Sequence, residues 1–335
     1  RTLGEDLMLR TVIAALVMAV VSVGAHAQDL KKIKVTQAVA SFAFLPIDYA
    51  KAAGYFEDEG LDVQQIATRG GGPDLTALIS GDVEFNAAAG TYQISAIIRG
   101  RQLVNVYNFY NRNLIGLVIS KDVAAKSGIA ADAPLKDRLQ VLKGLKIGMT
   151  RPGSLTDKQV RHLLRVGGLT PDDTEIVAIG GPPSLLSAFE RGQIDGYAIS
   201  VPHYLIAAQR GKGVVWVDNS KGDDPSIDPF MMESVLTTKK FAEQNPDVVR
   251  AMVRALKRAV DDIATKSSEE VSEVVQKAFG RVDPATMLIG IDAARNALNR
   301  QGGVSLQMAV NTMLLDGRAE VSPEQLFGTF TAEFQ

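Results

Sequence analysis

The sequence predicts a two-lobed α/β fold with two crossings between the lobes and a helical C-terminal region. Short apolar runs alternate with helical stretches from Ile33 onward, a pattern typical of βαβ units and a largely parallel sheet. A second cycle of the same alternation begins at Leu145, and the chain beyond Lys239 has a helical pattern. With 335 residues, the chain is long enough for two domains with well-buried cores.

In the first cycle, strands are predicted where a short apolar run is bounded by turn residues. These runs are 33–40, 61–67, 83–89, 103–110 and 114–120. The helices between them are 44–59, the stretch from the glycine-rich turn at 70–73 through Ser80, and 91–100.

The second cycle repeats this pattern. Its predicted strands are 146–150, 175–179, 194–199 and 214–217, and its predicted helices are 154–166, 183–191 and 202–210. A polar stretch rich in Gly, Asp and Pro at 218–229 indicates a linker, and a strand at 234–238 follows. The helix at 248–263 has clear 3.6-residue periodicity, with Asn245 as its cap and Pro246 at its first position.

This order of elements predicts that the chain forms two lobes. We expect residues 28–120 and 219–335 to form lobe 1 and residues 121–218 to form lobe 2. The chain then crosses between the lobes near Ile119 and Ser120, and again within 230–237. A single large doubly wound domain remains the alternative, because chains of this length also fold as one unit.

The N-terminus has the three parts of a secretory signal peptide. Arg10 is followed by an apolar run at 12–23 and then by Ala25-His26-Ala27, so we expect residues 1–27 to be removed after Ala27. The run is shorter than the ~20 residues that span a bilayer, although an N-terminal membrane anchor is the alternative. The sequence has no cysteine, which excludes a lipid-tethered cysteine, disulfides and thiolate catalysis. These features indicate the periplasm.

The composition limits the classes of partner and of chemistry that the chain can have. The formal net charge is −2, and no basic cluster indicates nucleic acid as a partner. His162 and His203, the only histidines beyond the predicted cleavage site, are far apart in sequence, and no HExxH, GxSxG, GxGxxG or P-loop motif is present. We therefore predict a non-enzymatic monomer with no cofactor and no metal site.

Six strand-to-helix loops are candidates for a binding cleft, because ligands of open α/β sheets lie beyond the carboxyl ends of the strands. Each loop combines small residues with a helix start, where free N–H groups attract negative charge. The predicted ligand-binding residues are Ser41, Phe42, Arg69, Gly70, Gly71, Ala89, Gly90, Thr91, Arg151, Gly153, Ser154, Pro202 and Phe230. The alternative for any one loop is that its glycine only makes the turn and that Ser154 only caps its helix.

Arg69 and Arg151 each precede such a loop, one in each predicted lobe. A guanidinium in a cleft can bind a carboxylate or sulfonate through two parallel hydrogen bonds, so we expect an anionic ligand. The alternative is that each arginine is exposed or pairs with a local carboxylate.

Several stretches carry a family resemblance, in order along nearly the whole chain. They are SFAFLP at 41–46, AKAAGYF at 50–56, EGLDV at 59–63, AL and SGD at 77–78 and 80–82, LKGLKIG at 142–148, RPGS at 151–154, GQIDG at 192–196 and NPDVV at 245–249. With these stretches the chain resembles the nitrate/sulfonate/taurine/pyrimidine-precursor family of periplasmic solute-binding proteins of ABC transporters.

The resemblance implies a type II periplasmic-binding-protein fold that closes by a hinge on a small molecule, here an organic anion. It also implies an ABC permease at the inner membrane as the partner, with a signalling partner as the alternative. One branch of this fold makes the thiamine pyrimidine and depends on a cysteine-rich segment. Since this chain lacks cysteine, the resemblance favours binding over that synthesis.

Overall fold

Two five-stranded mixed sheets form the framework of the molecule. A computed structural model describes residues 30–37, 41–68, 72–280 and 282–317. The predicted signal peptide with its cleavage after Ala27, and the predicted site residues Arg69, Gly70 and Gly71, lie outside the described residues.

The first sheet has the strand order β2-β1-β3-β10-β4. Its strands are β1 (Lys31–Gln37), β2 (Leu61–Ala67), β3 (Phe85–Ala89), β4 (Leu103–Asn108) and β10 (Glu233–Thr238). β1 lies parallel to β2 and β3, whereas β10 is antiparallel to β3 and β4.

The second sheet has the order β7-β6-β8-β5-β9 and the same plan. Its strands are β5 (Ile115–Ser120), β6 (Lys146–Met149), β7 (Glu175–Ala178), β8 (Gly196–Ser200) and β9 (Gly213–Val217). β6 is parallel to β7 and β8, and β5 is antiparallel to β8 and β9. Each sheet therefore has four strands that run in the same direction and one antiparallel strand, β10 or β5, which the chain enters from the other sheet.

The α-helices of the described residues flank these sheets. They are α1 (Leu45–Ala52), α2 (Tyr55–Asp58), α3 (Gly72–Ser80), α4 (Gly90–Ile98), α5 (Lys121–Ser127), α6 (Leu135–Gln140), α7 (Leu155–Gly167), α8 (Pro182–Glu190), α9 (His203–Gln209), α10 (Lys239–Gln244), α11 (Pro246–Thr265), α12 (Ser268–Val275), α13 (Pro284–Arg295) and α14 (Leu306–Leu315). Within the described ranges, none of these helices is long and apolar enough to cross a membrane.

The first crossing lies earlier than the sequence suggested. We expected it near Ile119 and Ser120, but β5 belongs to the second sheet, where Ile115 pairs with Ser200. The crossing is therefore the segment 109–114 between β4 and β5, and the return is 218–232. The two segments are joined by backbone hydrogen bonds, since the Phe230 N–H donates to the Asn111 carbonyl at 2.8 Å.

Two local predictions also differ from the structure. The helix expected at 44–59 is divided at Gly54, whose φ of +76° lies in the left-handed region that favours glycine. The linker expected at 218–229 contains two 3₁₀ turns, Asn219–Lys221 and Pro225–Ile227.

The long helix α11 covers one face of the first sheet's unit by packing against α1 and α2. Met252, Leu256 and Ile263, among other members of its apolar stripe, are fully buried. Pro246 is its first residue, as predicted, but the Asn245 side chain does not cap it. The Asn245 amide instead donates back to the Phe241 carbonyl at 3.2 Å.

Candidate ligand-binding site

A cavity of about 400 Å³ lies between the two sheets and takes its walls from both. Ala89, at the end of β3, and Glu233, at the start of β10, are register partners that line the first-sheet wall. Ser200, at the end of β8, and Ile115, at the start of β5, are the corresponding partners on the opposite wall. The cavity thus lies at the carboxyl edge of the parallel strands in both sheets, as expected for this class.

Three helices begin at this cavity. α4 starts directly after Ala89, α7 after Ser154 and α8 after Gly181, and all three of these residues line the walls. The first N–H groups of an α-helix have no acceptor within the helix, and the helix dipole adds partial positive charge there. On the second-sheet side these donors are few, because Pro182 and Pro183 at the start of α8 have no N–H and the Asp157 N–H of α7 is already bonded to Ser154 Oγ.

Three hydroxyl groups form a closed network on the second-sheet wall. Thr150 Oγ1 lies 2.8 Å from both Ser154 Oγ and Thr156 Oγ1, and the latter two are 2.9 Å apart. Ser154 Oγ also accepts a hydrogen bond from the Asp157 N–H at 3.3 Å, so it does cap α7. The network holds in place the loop 150–156, which contains Arg151.

Arg151 lines the same wall and is exposed. None of the ion pairs formed among the described residues involves it. Its side chain interacts with Tyr92 of the first-sheet wall. Burial raises the pKa of the Tyr92 hydroxyl, and the charge of Arg151 and a hydrogen bond to it oppose that rise. Arg151 is therefore available to an acidic ligand.

Tyr92 also closes one side of the cavity. Its hydroxyl donates to the Gly153 carbonyl at 3.5 Å, a contact between the first-sheet and second-sheet units. The Lys158 ammonium lies 5.2 Å from the centre of the Tyr92 ring, within cation–π range. The two units thus touch at Tyr92.

The first-sheet wall carries two carboxyl groups, Asp74 in the first turn of α3 and Glu233. Glu233 is 6% exposed, and its Oε2 has no hydrogen-bond partner among the described residues. Burial, and secondly the negative charge of Asp74, raise the pKa of Glu233 well above its usual range. The opposite charges of the two walls are therefore those of Asp74 on the first-sheet wall and Arg151 on the second-sheet wall.

The structure brings four of the predicted site residues to the cavity wall: Ser41, Ala89, Arg151 and Ser154. Gly153 touches Tyr92 beside it. Thr91 is buried next to Tyr92, with its Oγ1 unpaired among the described residues.

The remaining predicted residues of the described ranges do not line the cavity. Phe42 packs on Phe279 in the core, with ring centres 4.9 Å apart. Gly90 packs so closely on Met231 that a Cβ would lie 2.5 Å from the Met231 carbonyl oxygen. Pro202 is buried behind Ser200, and Phe230 is fully buried in the crossing segment.

Sequence reasoning missed Ile115, Asp74 and Glu233. The six predicted loops all follow a strand, whereas Ile115 and Glu233 open antiparallel strands whose amino ends reach the same edge. A signal for Glu233 was nonetheless present, because an acidic residue at the start of an otherwise apolar strand is unusual.

A larger groove of about 620 Å³ adjoins the cavity and shares Tyr92 with it. Helical side chains such as Leu75, Ile79 and Arg99 line it, and Ile79 is exposed. Since none of the strand ends in the described ranges lines this groove, the cavity between the sheets is the better candidate site.

The comparison with known families agrees with this geometry. The family model described as "NMT1/THI5 like" matches residues 41–270, well over half of the chain. The chain belongs to the NMT1/THI5-like family. This assignment confirms the resemblance seen in the sequence stretches, and the matched region contains both walls of the cavity.

Relatives of this NMT1/THI5-like chain include binding proteins and enzymes. A 4-amino-5-hydroxymethyl-2-methylpyrimidine phosphate synthase of Aspergillus parasiticus is 26% identical over 69% of this chain and 66% of its own length, just under two thirds. A putative aliphatic sulfonates-binding protein of Bacillus subtilis is 24% identical over 85% of both chains.

Solved structures share the fold. A protein of Bordetella bronchiseptica RB50 is 24% identical and superposes with a TM-score of 0.74 over 89% of this chain and 94% of its own. The periplasmic aliphatic sulphonate binding protein SsuA from Escherichia coli is 18% identical, with a TM-score of 0.65 over 85% of this chain and 91% of its own. These likenesses confirm the predicted α/β periplasmic-binding-protein fold.

Proposed function

We propose that the chain is the solute-binding component of an ABC importer, which captures a small organic acid by closing its two lobes around it. The observation that carries this proposal is the cavity whose walls come from both sheets. A ligand that contacts both walls when the lobes are closed, but one wall when they are open, shifts the equilibrium toward closure.

Arg151 is the proposed anchor for the acidic group. It lines the cavity without a carboxylate partner among the described residues, and α7 begins beside it. The ligand class is a sulfonate or carboxylate with an aliphatic or aromatic body. Phe44, Leu155 and Met232 supply apolar contact for that body.

The proposed location is the periplasm, after removal of residues 1–27, and the proposed partner is an ABC permease at the inner membrane that recognises the closed form. The Bacillus and Escherichia relatives are binding proteins by name, which supports this assignment.

We propose binding rather than catalysis, although the fungal relatives are named synthases. The sequence has no cysteine, and neither His162 nor His203 is among the residues that line the cavity. His162 instead binds Asp224 at 2.8 Å outside the cavity. Turnover of a bound compound by the purified chain would contradict this assignment.

The direct test is a thermal-shift screen of sulfonates, aliphatic and aromatic carboxylates, nitrate and pyrimidines, because a ligand that binds only the folded state raises Tm. For any acid that binds, Arg151→Ala should weaken binding at least about tenfold, which is about 1.4 kcal/mol. Arg191→Ala is the matched control, since Arg191 is exposed on the second-sheet unit and is not part of the cavity wall. Binding of neutral compounds alone, or equal affinity in the two variants, would refute the anionic anchor.

A further inference from the structure

The carboxyl group of Glu233 lies in the cavity wall without a partner. Glu233 opens β10, pairs in register with Ala89 and is 6% exposed. Its Oε2 has no hydrogen-bond partner among the described residues, and none of the ion pairs among them involves Glu233. A carboxylate that is buried without a cation or a donor is strongly disfavoured, and such a group is neutralised by taking up a proton. The position therefore favours the neutral carboxylic acid.

The titratable groups that face Glu233 do not favour its ionised form. Asp74 of α3 lines the same wall, and its negative charge adds to burial in raising the pKa of Glu233. Burial raises the pKa of the hydroxyls of Tyr92 in α4 and Tyr110 in the crossing, so both are neutral. These two hydroxyls donate to backbone carbonyls at 3.5 and 2.6 Å. Neither is therefore a donor to Glu233.

The strands beside β10 add no charge. The side chains of β3 are not titratable, and the Tyr107 hydroxyl of β4 donates to the Arg300 carbonyl at 3.2 Å. The charged residues of α10 follow the opposite end of β10, about 17 Å away along the strand: Lys239, Lys240 and Glu243. Asp74 is therefore the charged neighbour that acts on Glu233.

A neutral Glu233 has an O–H group to donate. Because its Oε2 has no acceptor among the described residues, an acceptor within the cavity suits it best. A bound organic anion has acceptor oxygens, and a carboxylic acid binds them by a strong hydrogen bond. An ionised Glu233 would offer no donor and would repel the same anion.

We infer that Glu233 binds the ligand as a protonated carboxylic acid that donates its O–H to a ligand oxygen, so that capture of the anion requires a proton on Glu233. This inference rests on the proposed function and adds control by pH to it. Where Glu233 is ionised before binding, the proton comes from solvent and is taken up with the anion. By linkage, the affinity should fall as the pH rises through the pKa of Glu233 in the unliganded chain, by up to about tenfold per pH unit.

Infrared spectroscopy of the whole purified chain tests the protonation without a ligand. The difference spectrum between the native chain and Glu233→Gln should contain the carbonyl band of a protonated carboxyl group at neutral pH, because the other carboxyl groups cancel. The pH at which this band disappears is the pH at which Glu233 ionises. Asp74→Asn should lower that pH, because it removes the neighbouring negative charge. Absence of the band at neutral pH would overturn the inference.

Titration calorimetry tests the coupling to binding with benzenesulfonate, hexanesulfonate, benzoate and caproate. Their acid groups stay ionised above about pH 6. His203, which lies near the cavity residue Ser200, stays neutral there because burial lowers its pKa to about 4. The probe that the native chain binds most tightly should lose at least about tenfold in affinity within about two pH units above the disappearance of the infrared band.

Variants assign this pH dependence to Glu233. Glu233→Gln keeps a donor but cannot ionise, so its affinity should stay within about threefold of the native value at about pH 6 and should not change with pH. Glu233→Met removes the donor and should weaken binding about fivefold at every pH. Glu243→Gln is the control, because Glu243 is exposed beyond the far end of β10, and it should keep the native pH profile. If Glu233→Gln does not fold, Glu233→Met replaces it as the infrared reference.

Two results of the titrations contradict the inference in different ways. If the affinity is the same on both sides of the pH at which the band disappears, or if Glu233→Gln keeps the native pH profile, the proton coupling is refuted and the proposed function stands. If no probe raises Tm or releases heat at any pH tested, the proposed anionic ligand fails and the coupling fails with it.

Discussion

The Lys158 ammonium lies 2.7 Å from the Asp316 carboxylate and joins α7 of the second-sheet unit to the end of α14. Both side chains are largely buried, with 18% and 10% exposed. Arg165, two turns further along α7, donates to the carbonyls of Leu314 and Leu315 at 3.0 and 2.9 Å. Because α14 packs against α4 of the first-sheet unit, these contacts form a clasp between the two units, here called the α7–α14 clasp.

Loss of the charge at Lys158 should weaken the α7–α14 clasp. Lys158→Met leaves the Asp316 carboxylate buried without its cation, so the free energy of unfolding should fall by about 2 kcal/mol. The double variant Lys158→Met/Asp316→Asn should recover part of that loss, because no unpaired charge remains. Urea denaturation of the native chain, Lys158→Met, Asp316→Asn and the double variant measures the coupling energy of the ion pair. Strictly additive effects would show that the ion pair contributes nothing.

A second buried pair ties α7 to the return crossing. His162 Nε2 lies 2.8 Å from Asp224 Oδ2, and both residues are buried. Burial acts to raise the pKa of Asp224, but the hydrogen bonds from His162 and Ser226 outweigh it, so the pKa is lowered. His162→Leu should therefore cost about 3 kcal/mol of unfolding free energy at neutral pH.

The matched control for this pair is His162→Leu/Asp224→Asn, which removes the stranded charge and should be more stable than His162→Leu alone. The lowered pKa of Asp224 means that its ionised form stabilises the fold at neutral pH, and that this contribution is lost as the pH falls through the folded-state pKa. Equal stability of the single and double variants in urea would contradict this account.

The contribution of Asp48 to the free energy of unfolding should have the opposite pH dependence. Burial raises its pKa to about 6, despite hydrogen bonds from Gln65 and Gln37 and the charge of Lys51. Between the unfolded-state value of 3.8 and about 6, the folded state binds more protons than the unfolded state, so this group costs stability as the pH rises. Relative to Asp48→Asn, the native chain should lose on the order of 3 kcal/mol between these limits. Parallel Tm-versus-pH curves for the two proteins would exclude the raised pKa.

The unliganded Glu233→Gln variant should be more stable than the native chain at neutral pH. Because burial and the charge of Asp74 raise the pKa of Glu233 well above its usual range, ionisation of this group opposes folding as the pH rises. The two Tm curves should converge at acid pH, where the native carboxyl is neutral. A lower Tm for Glu233→Gln at neutral pH would show that the glutamate has a stabilising partner.

The strands could be predicted from the sequence because each is a short apolar run between turn residues, and β3 and β5 lie within a residue or two of their predicted bounds. The sheet that β5 joins could not. β5 follows β4 along the chain, so local pattern places both in the first cycle, whereas the pairing of Ile115 with Ser200 across 85 residues decides otherwise. Long-range register is not contained in local periodicity.

The residues of the candidate site were likewise predictable only in part. Ser154 and Arg151 were predictable because a helix start after a strand marks the ligand edge of a parallel sheet. Phe42 was predicted as a ligand-binding residue for the same reason, but its 3₁₀ turn points it at Phe279, a contact that the local sequence does not indicate.

Ile115 and Glu233 are the first residues after the two crossings, and both line the cavity. Their strands continue directly from the segments about which the lobes would rotate, and the Phe109 N–H donates to the Glu233 carbonyl at 2.8 Å across those segments. If the cavity binds the ligand as proposed, a substitution at either position would change the ligand-contacting surface and the pivot together. During divergence of this family toward new cargo, such positions would alter preference and the open–closed balance in one step, whereas Arg151 could be exchanged without touching the pivot.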